Sequence, residues 1–126
     1  MKNKIILVTL ISLASTLFAI GQSKEATLVK LVETPGQFDT KELKLKAGSY
    51  QFEITNKGVD HEVAFFLQQE KDKGKQDFAT ALPNSGLSKT IKDGETSKTG
   101  VVALAKGTYV YSCPLNPTPH YKIIVE

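Results

Sequence analysis

Three residues carry donors suited to metal or nucleophilic chemistry: Cys113, His120 and His61. Cys113 is the only cysteine, and His120 and His61 are the only histidines. Cys113 and His120 close the two ends of Pro114-Leu115-Asn116-Pro117-Thr118-Pro119, in which each proline fixes φ and removes a backbone donor. A thiolate and an imidazole on a stiff loop are the ingredients of a soft metal site, because sulfur and nitrogen donors suit copper or zinc better than hard cations. If His61 folds back onto this loop, one Cys and two His are available to a single ion, a donor set suited to copper.

The elements that must position these residues alternate with the period of strands. Leu28, Val29, Leu31 and Val32 are interleaved with Thr27, Lys30 and Glu33, and Pro35-Gly36 punctuates the run. Leu43 to Lys46 and Tyr50 to Thr55 alternate likewise, the second closed by Asn56-Lys57-Gly58. His61 to Leu67 reads as a further strand with His61 at its mouth. The Lys-rich stretch from Gln68 to Thr80 has no strand period and reads as a surface excursion, with a helical turn around Gln76 to Ala81. Leu87 to Ile91, Thr96 to Leu104 and Thr108 to Cys113 are alternating runs separated by Asp93-Gly94 and Lys106-Gly107 turns, and Ile123 to Val125 ends the pattern. Short strands at near-regular spacing with almost no helical periodicity predict an all-β sandwich.

Lys2 and Lys4, the apolar run from Ile5 to Ile20 and the small residues Ala19 and Gly21 describe a secretory signal peptide over residues 1–21. Residues 22–126 are then one domain, expected to be periplasmic or secreted, monomeric and without stable membrane insertion once the signal is cleaved. Removing Lys2 and Lys4 from the 16 lysines leaves 14 against 13 Asp plus Glu, and there is no Arg, so no nucleic-acid partner is expected. A lone cysteine in an oxidising compartment has no intrachain disulfide to join, which leaves burial, intermolecular pairing, nucleophilic catalysis or metal ligation. Ligation also accounts for the histidine on the same loop. No orienting group or oxyanion arrangement accompanies the Cys and His, so an enzyme is not expected.

Two blocks resemble the cupredoxins, the family of small exported copper proteins that includes plastocyanin and azurin. Tyr50 to Val63 is similar to the family's strand, Asn-x-Gly turn and first histidine ligand, and Gly107 to Pro114 to the strand that delivers the cysteine ligand. The resemblance implies a Greek-key β-sandwich and copper held by His61, Cys113 and His120. The final loop departs from the family's pattern: Asn116 stands where a histidine is usual, His120 comes later, and no methionine follows Cys113. The alternatives for a fourth ligand are a carbonyl near Asp60, the Asn116 side chain and Tyr121. By resemblance the function is single-electron transfer to a redox partner protein, with Leu115, Pro117, Pro119 and His120 at the partner surface. The alternatives are a module that holds copper or hands it to a copper acceptor, and a metal-free interaction domain.

Overall fold

The computed structural model describes residues 25–126; the signal-peptide reading of residues 1–21, and the first residues of the domain expected to follow it, lie outside the described residues. Among the described residues eight strands make two four-stranded sheets. In the first, β1 (Thr27–Thr34) pairs antiparallel with β2 (Gln37–Phe38) across the Pro35-Gly36 turn, where Gly36 has φ of 73°, a left-handed conformation that glycine adopts at no steric cost. On its other side β1 runs parallel to β4 (Gly48–Asn56), which pairs antiparallel with β6 (Thr96–Leu104). The second sheet has the order β3 (Glu42–Leu45), β8 (Tyr121–Val125), β7 (Gly107–Ser112) and β5 (Phe66–Gln69), with β3 and β8 parallel. The all-β sandwich expected from the periodicity is the fold observed.

The inward faces of both sheets form one core, with Leu31, Phe52, Ile54, Val102, Tyr111 and Ile123 all but inaccessible to solvent. An edge-to-face ring contact between Phe38 and Tyr111, centroids 5.2 Å apart, ties the short edge strand β2 to the centre of the opposite sheet. The Tyr111 hydroxyl donates to the Thr40 carbonyl, closing the same join through the polar end of the ring. Truncating a buried Phe such as Phe38 costs about 3–5 kcal/mol, more than a two-residue strand contributes through its ladder.

Two expectations need correction. The strand predicted from His61 to Leu67 begins only at Phe66, and Val63 makes a single bridge to Ile91. The cause is Asn56, a fully buried side chain whose Oδ1 accepts from Val59 N and whose Nδ2 faces the carbonyls of Val59, His61 and Ile91. These bonds hold 57–63 as a loop. The second correction concerns Gln68, read as the start of a solvated excursion; it is fully buried, and its Nε2 reaches Asp72 O, Lys75 O and Thr80 Oγ1. The excursion is thereby folded onto the sheet, and it includes a 3-10 turn at Phe78–Thr80 inside the stretch predicted to be helical.

Candidate metal centre

Cys113 follows β7 directly, and the strand carries its side chain inside. Its Sγ accepts two backbone N–H groups, from Asn116 at 3.2 Å and from Ala64 at 3.4 Å. The Cys113 N–H donates to Thr118 Oγ1 at 3.2 Å, so the loop folds over its own first residue. Backbone donors aimed at sulfur favour its anionic form. Burial works the other way and dominates: together with the adjoining Glu33 carboxylate it pushes the thiol up to about 12, against the opposing pull of the two amides.

The loop is pinned from beneath by Asn116. Its Oδ1 accepts from Gly36 N at 2.8 Å, and its Nδ2 donates to Thr34 O at 3.0 Å and to Glu33 Oε1 at 3.1 Å. A buried amide with donors and acceptor all engaged joins the Cys113 loop to the β1–β2 turn. Glu33, opposite Asn56 in the β1–β4 ladder, has no solvent exposure, and its Oε2 has no hydrogen-bond partner among the described residues. Burial raises its carboxyl above the ordinary value, while the Cys113 thiol, the Asn116 amide and the charge of His61 act to lower it.

The two histidines are placed differently. His61 is exposed on the Asn56-held loop with Nδ1 2.9 Å from the Glu62 carbonyl oxygen. A carbonyl only accepts, so Nδ1 is the nitrogen that donates to it. His120 is half-buried at the rim of a cleft of ≈ 240 Å³ that Cys113 also lines, walled by Phe66, Phe78 and Pro117. Cys113 and His120 thus share a cleft that His61 does not line. Among the described residues no three His, Cys, Asp or Glu side chains come together as a metal-holding group. The thiol and imidazoles have the chemistry that copper requires, but His61, Cys113 and His120 are not gathered around one point.

The site residue that the sequence pattern does not single out is Glu33, one of the polar residues interleaved in β1. A signal for it existed: strict alternation puts Val29, Leu31 and Glu33 on one face of the strand, and Leu31 is buried.

The sequence profile of the Cupredoxin-like domain family matches residues 5–125. Among solved structures, auracyanin B is similar at 17% identity and a TM-score of 0.62, over 80% of this chain and 89% of that one. Auracyanin A, a "blue" copper protein of the bacterium Chloroflexus aurantiacus, gives 16% identity and a TM-score of 0.61 over 81% and 100% of the two chains. The Az-iso2 azurin of Methylomonas sp. strain J gives 12% identity and 0.58 over 81% and 99%. At such identities the likeness is one of fold. No curated protein matches the sequence. With the profile spanning both sheets and the Cys113 loop, the chain belongs to the cupredoxin-like domain family.

Proposed function

We propose that this protein is an exported metal-binding cupredoxin anchored on Cys113, which holds copper or a similar ion and passes it on rather than cycling electrons through it. The observation that carries this reading is the Cys113 sulfur itself, buried and approached by two backbone N–H donors from separate segments, at a cleft His120 lines. Such a sulfur is positioned to receive an ion before one arrives. Electron transfer asks for more, since little rearrangement between oxidation states requires a complete rigid donor set. His120 lines the cleft beside Cys113 and His61 does not, and among the described residues these three donors are not gathered as one group.

Single-electron transfer through those three residues is the second reading, favoured by the likeness of fold to auracyanin A, itself a "blue" copper protein. Adding Cu(II) to the mature protein, with Cys113→Ser as control, separates the two. The holding role predicts tight Cu(I) binding that needs Cys113 and transfer of the ion to an acceptor chelator. An intense thiolate-to-copper band with reversible reduction and no loss of metal supports the electron carrier instead. Absence of binding to either copper ion would leave a cupredoxin-like interaction domain.

A further inference from the structure

We propose that the cleft between residues 74–78 and the Cys113 loop is a binding site for a small aromatic carboxylate, a role that goes beyond the reading of Cys113 as a metal ligand and requires no ion. Its floor is the outer face of the second sheet. Phe66 and Ser112 face each other in the β5–β7 ladder, and their chain neighbours Leu67 and Tyr111 belong to the core, so strand alternation turns Phe66 and Ser112 to the opposite face. The outer face of an antiparallel sheet commonly meets water. Here Phe66 and Ser112 are each only 6% exposed, and Gln68 and Val110, the next pair on that face, are wholly buried. The cover is the excursion that follows β5: Phe78 packs edge-to-face on Phe66 with centroids 5.5 Å apart, and Gln68 Nε2 holds the backbone carbonyls of Asp72 and Lys75. The cover does not close. Neither of its 3-10 turns buries a residue, and Phe78 stays 70% exposed although it touches a buried ring. The space left is the cleft of ≈ 240 Å³, and it is lined by Ser112, whose hydroxyl has no hydrogen-bond partner among the described residues. A nearly buried hydroxyl without a partner is unfavourable, and a polar group on a ligand would satisfy it.

The lining gives the class of ligand. Phe66, Phe78 and Pro117 supply apolar walls suited to a flat ring. A cavity of about 150 Å³ takes benzene, so ≈ 240 Å³ takes one ring with its substituents. Lys75 also lines the cleft, with His120 as a further nitrogen group, and no Asp or Glu does. The Lys75 ammonium is 3.1 Å from Asp72 Oδ1 on a side chain largely in solvent, and with three donors it has capacity for a second carboxylate. Its backbone is fixed by Gln68, which places the charge beside the opening. A ring held here would cover the exposed face of Phe78, with its carboxylate toward Lys75 and a hydroxyl at its far end toward Ser112.

The test titrates the metal-free mature protein with para-hydroxybenzoate, benzoate and para-hydroxybenzyl alcohol, followed by NMR. Para-hydroxybenzoate is expected to bind saturably with a Kd of about 1 mM or tighter, in line with its roughly ten non-hydrogen atoms, and to move the signals of Phe66, Lys75, Phe78 and Ser112 most. Phe78→Ala is expected to weaken it about three- to tenfold. Ser112→Ala is expected to weaken para-hydroxybenzoate by a similar factor and to leave benzoate unchanged, and because the serine hydroxyl has no partner to lose, Tm should not fall. The neutral alcohol is expected to bind about threefold more weakly than the carboxylate, a preference that Lys75→Met removes. No saturable binding of either carboxylate below about 10 mM would overturn the proposal. Binding that Phe78→Ala and Ser112→Ala both leave unchanged would overturn it equally, and equal affinity for the alcohol and the carboxylate would overturn the anionic class of ligand. Phe78 and Lys75 are exposed, so their variants keep the test decisive should Ser112→Ala not fold. None of these measurements involves an ion, so their failure leaves the reading of Cys113 untouched.

Discussion

The two loops that carry the chemistry are built on one device and end with opposite results. Residues 57–63 are tied down by the buried amide of Asn56, and the Cys113 loop by the buried amide of Asn116. The Asn56 side chain bonds within its own loop and to Ile91, and His61 stays on the outer surface. Asn116 reaches across to the β1–β2 turn, which holds the loop over the Cys113 that β7 has already carried inside. The reach of the anchoring amide decides which side chain faces the interior.

The largest effect that tests this comparison is expected from Asn116→Ala. It strips partners from Gly36 N, Thr34 O and Glu33, a loss of roughly 2–4 kcal/mol measurable by urea unfolding, together with loss of ion binding at Cys113. Asn56→Ala should cost a similar amount of stability while sparing the burial of Cys113. If Asn116→Ala is instead mild, the three prolines hold the loop and the parallel between the amides breaks.

A second effect is set by pH. The Cys113 thiol has an ordinary value of 9.0 and is pushed up to about 12 in the fold, so the folded state holds this proton more tightly than the unfolded chain. Its contribution to stability is complete below pH 9 and disappears as pH rises from there toward 12. The stability difference between wild type and Cys113→Ser should therefore shift against the wild type between about pH 8 and about pH 11. A difference independent of pH would mean that the thiol is not shielded from solvent as described.

The smallest effect belongs to His61→Ala, expected to change stability by no more than about 0.5 kcal/mol because the ring is exposed and its hydrogen bond is to its neighbour's carbonyl. A loss well above about 1 kcal/mol would mean that the ring packs inward and that the two loops are more alike than their amides suggest.

Much of the sandwich was legible because its strands alternate cleanly: the predicted run from Thr96 to Leu104 is β6, and Thr108 to Cys113 covers nearly all of β7. The site was less so. The apolar run through Val63 to Leu67 looks like a continuous strand, yet Asn56 withdraws its first part from the ladder, and a long-range side-chain bond leaves no periodic trace. Glu33 was obscured for a different reason. Its charge argued for solvent while its parity argued for the core, and only the neighbours Cys113 and Asn116, some eighty residues away in sequence, decide between them.

β8 has a consequence for the order in which the chain assembles. It is the only strand between β3 and β7, and its pairing with β3 joins Glu42 to Lys122 and Leu45 to Val125. Until residues 121–125 are available, β3 has no neighbour in its sheet, and β1 must likewise wait for β4 to form its parallel ladder. Such distant pairings make folding slow and late. The second sheet therefore stays open until its last strand arrives, and the cysteine that precedes β8 stays accessible until that strand locks its loop in place.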